Sequence, residues 1–202
     1  MWTDRILHDG ESREGWKAAR LPVVGASDAA KFAKLASVDL YTRAKLKASS
    51  FHGTEYTESG HRWEPMILAY AGIPGNKALI HSPDEVGFAC TPDGITSDGS
   101  RIAEAKAKHN KQVDGPSPGE WRQLAWQTLC IPEAEHVDFV WLELVRDVAG
   151  GWVMRGRGPQ LMTIHRDDPR LADRRAALVP IATEVLARLR AARAFEREVS
   201  NV

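Results

Sequence analysis

The sequence predicts one α/β or α+β domain, and three observations carry that prediction. Helical apolar spacing opens the chain, and short β-rich runs separated by turn formers occupy its middle. A long amphipathic stretch closes it, so helices, a central hairpin and helix, further strands and a terminal helix follow in order. The third observation is size: 202 residues, 43% hydrophobic and 27% charged, are enough for one sizeable core with ordinary globular composition.

Residues 1–15 are polar and punctuated by Gly10 and Gly15, and read as an N-terminal arm or loop. Leu21–Gly25 reads as a short extended piece. Ser27 or Asp28 then serves as the N-cap of a helix running into AAKFAKLA. A second helix is expected over Val38–Lys47, and a third over Tyr56–Ala71, where Trp63, Ile67 and Tyr70 recur at helical spacing before Gly72 and Pro74.

His81–Gly87 reads as a loop or strand. Phe88–Cys90 and Ile102–Lys106 read as two strands around the turn-rich TPDGITSDGS, and Lys108–Gly119 as a loop. Glu120–Cys130 is predicted helical, Val137–Val145 a strand, and Gly151–Arg157 its hairpin partner. Asp173–Val199 is a long helix with Pro180 as its expected interruption. The domain therefore spans 1–202, with 1–15 as the arm and 170–202 as the C-terminal helix. There is no internal repeat or low-complexity tract.

Composition limits the function classes. Lys plus Arg and Asp plus Glu both number 27, so the chain lacks the basic excess of many nucleic-acid binders. A local basic groove can still coexist with acidic ligands. Cys90 and Cys130 form no C-x-x-C pattern and read as reduced, buried residues. The seven His have no metal-ligand spacing. Seven Trp are most simply core, with Trp2 or Trp152 as alternatives for stacking on bases. No apolar run approaches the roughly 20 residues of a membrane span, and the N-terminus lacks signal-peptide character. The expected location is the cytoplasm.

The informative segment is Pro92-Asp93, ten intervening residues, then Glu104-Ala105-Lys106. Hydrolysing a phosphodiester requires a placed water, neutralised phosphate oxygens and a stabilised leaving alkoxide, all of which divalent ions supply. Magnesium is hard and takes oxygen ligands while retaining waters. Asp93 and Glu104 on adjacent strands can provide such ligands. Side chains alternate along a strand, so Glu104 and Lys106 share a face, while Ala105 offers its carbonyl. Lys106 can orient the attacking water and stabilise developing charge. Alone, an E-A-K triplet or a Pro-Asp-Gly turn is common. Two further features lend weight: Glu64 on the third helix, and Gln123 with Gln127 one helical turn apart. Taken by itself, Gln127 reads as part of a polar outer face. Lys106 is expected to serve catalysis more than stability, so that its removal leaves thermal stability little changed or higher.

In this arrangement the sequence resembles the phage lambda exonuclease and YqaJ-type viral recombinase nucleases of the PD-(D/E)xK superfamily. Four blocks occur in the family's order between about Trp16 and Ile131: Ala19-Arg20-Leu21 through Ser27; Gly60 through Glu64; Ala89 through Gly94 leading to Glu104-Ala105-Lys106; and Gln123. The resemblance implies a restriction-endonuclease-like fold, a central mixed β-sheet flanked by helices. It implies Mg2+, with Mn2+ as substitute, held by Asp93, Glu104 and the Ala105 carbonyl. Glu64 would contact the ion's water shell or a second ion. Lys106 would act on the nucleophilic water, Gln123 would support the site, and Arg20 and Ser27 would bind DNA phosphate at the strand end. Ala107-Lys108 stands where family members commonly carry Cys-Pro, and the chain beyond about Val145 matches no family block.

The function implied is an exonuclease degrading one strand of linear duplex DNA, 5′ to 3′, in phage-type recombination. Implied partners are double-stranded DNA ends, a single-strand annealing protein and further copies of the chain in a ring, a trimer in the family; no membrane is involved. A nicking, structure-specific or restriction-type endonuclease could use the same catalytic set. A noncatalytic DNA-binding module is the third class, against which the complete set of Glu64, Asp93, Glu104 and Lys106 argues.

Overall fold

The structure is a computed structural model and describes residues 1–47, 54–156 and 158–200. Its centre is a five-stranded sheet made of β4 (Gly94–Ile95), β5 (Arg101–His109), β6 (His136–Arg146), β7 (Trp152–Met154) and β8 (Gln160–His165). Neighbours run β4-β5-β6-β7, with β8 also pairing β6. Strands β5 and β6 are parallel along nine residue pairs from Arg101–His136 to His109–Leu144. Parallel neighbours need a crossover, and α5 (Pro118–Cys130) supplies it. A smaller antiparallel sheet joins β1 (Ile6–His8), β2 (Leu79–His81) and β3 (Ala89–Cys90).

The centre of β6 is buried on both faces, as in a central strand covered by helices. On one face, Ile102, Phe139 and Trp141 pack with Leu124 and Trp126 of α5. Leu178 and Val185 of α6 (Pro169–Ser200) join the same core. On the other face, Ile67 and Leu68 of α4 (Glu55–Ala71) meet Ala103, Val140 and Leu142. Each such aliphatic burial contributes about 1.5–3 kcal/mol. The small side chains Ala103, Ala105 and Ala107 let α4 lie close to β5.

Helix boundaries follow their caps. Thr54 accepts the N–H of Thr57 to start α4, and Gly72, at φ 67°, ends it in the left-handed conformation. At α5, Ser117 accepts from Glu120, whose carboxylate accepts the Ser117 N–H in return.

Several expectations are corrected. Residues 1–15 are not a bare arm: they carry β1 and the first residues of α1 (Arg13–Arg20), which starts at its Ser12 cap. The next helix, α2, covers only Ala26–Ala29, and its N-cap is Gly25 rather than Ser27 or Asp28. Asp28 instead accepts the Gly25 N–H at 2.9 Å. The helix predicted over Val38–Lys47 is α3 (Val38–Leu46). Phe88–Cys90 and Ile102–Lys106 do not pair; β3 belongs to the small sheet, and β4 is the partner of β5. Strand β5 runs to His109, which shortens the expected loop, and β8 was not anticipated. Helix α6 begins at Pro169 and continues through Pro180. The hairpin of β6 and β7 is as expected, with Arg157 outside the described residues, as are 201–202 of the terminal segment. Cys90 and Cys130 are free and buried. Trp2 packs against the main core and Trp152 against the α4 side.

Candidate active site

The β4–β5 register builds the site. Gly94 faces Ala103 and Ile95 faces Ile102, so one further step of this antiparallel ladder sets Asp93 across from Glu104. The approach is close: a Cβ on Gly94 would lie 2.9 Å from Ile73 Cγ2 and 3.0 Å from the Pro74 carbonyl oxygen. Only glycine fits there without displacing its neighbours. Asn76 fixes the same turn. Its side-chain amide donates to the Pro92 carbonyl at 2.9 Å and its backbone N–H to the Asp93 carbonyl at 2.8 Å.

Among the described residues, β5 beyond Ala103 has no strand partner on the β4 side. There the Asp93 Oδ2 accepts the Ala105 N–H at 2.7 Å. The carbonyl and N–H of one strand residue point to the same side, so the Ala105 carbonyl lies on this open edge as well. Among the described residues, Asp93 Oδ1 takes no hydrogen bond.

Strand alternation sends Ala103 and Ala105 toward α4 and turns Glu104, Lys106 and Lys108 toward α5. Glu104 is 1% exposed. Lys106 and Gln123 both donate to its Oε1, Gln123 at 2.5 Å, and Gln127 donates to its Oε2 at 2.5 Å. Lys108 pairs with Glu120 at 2.5 Å at the start of α5. Glu64 lies half-exposed on α4, 3.6 Å from His61, and its charge acts on Asp93.

Charge is unevenly balanced here. Burial, then the negative charge of Glu104, pushes the Asp93 carboxyl well above the usual carboxylate range; Glu64 adds to the rise and Lys106 opposes it. Burial alone would lower the Lys106 ammonium, but Glu104 and Asp93 outweigh it and hold the group above its usual value. Among the described residues no three His, Cys, Asp or Glu side chains form a ready-made metal cage. The donors are instead two carboxylates and a carbonyl, a sparse hard-oxygen set. It suits an ion that keeps most of its waters. The elevated Asp93 and its unbonded Oδ1 are what a bound cation would relieve, so the residues fit a divalent ion.

The second group of sequence-identified residues also meets. Arg20 donates to the Ser27 hydroxyl and stacks its guanidinium over Trp16, 5.0 Å from the ring centroid. Trp16 in turn donates to Thr91, two residues before Asp93, at 3.4 Å. The helix end after Gly25 is too short to carry a substantial dipole, so this corner relies on side chains. Lys45, beside it, pairs with Asp28 at 2.6 Å.

The structure thus brings together Asp93, Glu104, Ala105, Lys106 and Gln123, with Glu64 beside them, and separately Arg20 with Ser27. Sequence reading missed Asn76 and misplaced Gln127, which is fully buried on Glu104 rather than on an outer face. Its spacing of four from Gln123 was the available signal.

No protein-family model and no curated protein matches the sequence. Solved structures do. An alkaline exonuclease (LHK-Exo) from Laribacter hongkongensis matches with a TM-score of 0.65 at 21% identity, over 92% of this chain and 99% of that chain. The same enzyme in complex with dAMP gives 0.61, at 21% identity and the same coverage. A phage-related exonuclease from Haemophilus somnus 129PT gives 0.54 at 12% identity, over 93% of this chain and 92% of that one. Across nearly its whole length, this chain has the nuclease fold of these exonucleases.

Proposed function

We propose that this chain is a divalent-metal-dependent deoxyribonuclease that degrades one strand of linear duplex DNA from its 5′ end. The observation that carries the reading is the meeting of Asp93, Glu104 and Lys106 at the open edge of β5. The exonuclease names of the structures sharing the fold agree with it, and one of them binds dAMP, a mononucleotide of the kind that stepwise cleavage releases.

Asp93, Glu104 and the Ala105 carbonyl would hold Mg2+ or Mn2+, with Glu64 at its water shell. The ion would neutralise phosphate charge and lower the pKa of water beside it. Lys106, whose ammonium form is favoured by Glu104 and Asp93, would orient the attacking water through a donated hydrogen bond and stabilise charge developing on the phosphate. Gln123 steadies Glu104.

Arg20 and Ser27 supply a place for a terminal phosphate. A guanidinium offers a planar, bidentate fork, and the hydroxyl adds a donor. The Trp16–Thr91 contact ties this corner to the segment entering the metal site. A phosphate anchored there would set both end dependence and direction. Duplex DNA ends are then the substrate. A ring of copies, a trimer in the resembling family, and a single-strand annealing protein are the expected partners in phage-type recombination in the host cytoplasm. Among the described residues no helix is long and apolar enough to cross a membrane.

The test is nucleotide release from linear duplex by wild type, Asp93→Asn and Glu104→Gln with Mg2+. Each variant should lose activity by orders of magnitude while keeping the wild-type circular dichroism spectrum. Wild-type rates in either folded variant would sink the reading.

A further inference from the structure

We propose that Gln123 and Gln127 hold Glu104 as a one-oxygen ligand, so that the site selects a small octahedral divalent ion over Ca2+. This rests on the metal-dependent reading above and adds the residues that set ion choice.

A carboxylate offers about four lone-pair positions. Both on Glu104 Oε1 are taken, by Lys106 and Gln123, and one on Oε2 is taken by Gln127. The remaining lone pair therefore belongs to Oε2. Glu104 can bind a cation through that oxygen without breaking a contact. Chelation through both oxygens would require losing Lys106 or Gln123. Ca2+ takes about 6–8 oxygens and commonly uses bidentate carboxylates, whereas Mg2+ demands near-octahedral geometry and few protein ligands.

The clamp is rigid. Positions 123 and 127 share one face of α5, which turns toward β5. The buried Leu124 and Trp126 anchor the helix beside them, and Trp126 donates to the Ala89 carbonyl at 3.0 Å. Gln127 is fully buried, and among the described residues its own Oε1 has no partner. A buried amide that leaves one end unsatisfied is not there for packing alone. Its donor end fixes the plane of Glu104.

Calorimetric titration of the full chain without DNA, using MnCl2 and CaCl2, tests this on wild type, Gln127→Met and Gln123→Met. Melting of the metal-free proteins checks that each is folded. Wild type should bind Mn2+ more tightly than Ca2+. Each variant should narrow that preference about tenfold, since residues orienting a ligand typically control affinity on that scale. If Gln127→Met does not fold, Gln123→Met decides alone. An unchanged Mn2+-to-Ca2+ ratio, or equal weakening of both ions, overturns the inference while leaving the metal-dependent reading intact. Wild type binding neither ion overturns both.

Discussion

Asp93 accepts the backbone N–H of Ala105 at 2.7 Å, tying the turn before β4 to the strand segment that carries Glu104 and Lys106. Burial, then the negative charge of the neighbouring Glu104, pushes the Asp93 carboxyl well above the usual carboxylate range, while this bond opposes the rise.

Asp93→Asn should therefore separate stability from activity. A carboxyl whose folded pKa is raised favours the protonated form. The stability linked to it is full below the unfolded value of 3.8 and is lost as pH rises through the folded pKa. Asn mimics the protonated acid and escapes that loss. In EDTA the variant should melt higher than wild type at neutral pH, and the gain should shrink as pH falls toward 3.8. A lower melting temperature at neutral pH would contradict this account of the site's charge.

Lys106→Ala should slow cleavage by about 100-fold or more, the scale of losing one donor aimed at transition-state charge. Its stability effect is opposite to the sequence expectation. Lys106 pairs with the buried Glu104, so its removal leaves a buried negative charge on two amides alone. A loss of about 1–3 kcal/mol follows. Glu104→Gln in the same chain should restore most of it. Denaturant melts of the single and double variants measure both effects, and a Lys106→Ala protein as stable as wild type would refute the pairing argument.

Arg20→Ala should remove most of the discrimination between 5′-phosphate and 5′-hydroxyl ends. Rates on the two linear duplexes, for wild type and variant, provide the comparison. Wild type should favour the phosphate, and the variant should lose most of that preference. Equal wild-type rates on both ends would remove the phosphate role.

Much of the site was legible because its signals are local. The alternation of β5 puts Glu104 and Lys106 on one face whatever surrounds them, and the turn formers after Asp93 announce a return to that strand. The pairing of β3 was not legible, because the choice of a partner strand depends on register with residues far along the chain. Strand β8 has a mostly exposed or half-exposed edge pattern, so its burial leaves little trace in the sequence. Helix α6 passes through Pro180 because Leu178, Ile181 and Val185 are buried on both sides of it. That packing outweighs a proline cost of about 3 kcal/mol. Gln127 shows the same limit: a polar residue on a helix reads as solvent-facing until its partner, the buried Glu104, is located.

The most direct test of the central claim is release of acid-soluble nucleotides from linear and covalently closed circular duplex DNA, with Mg2+ and with excess EDTA. The account predicts steady release from linear DNA with Mg2+, none from the circle, and none from either in EDTA. Efficient cutting of closed circles would make the chain an endonuclease, and cleavage persisting in EDTA would contradict the metal site itself.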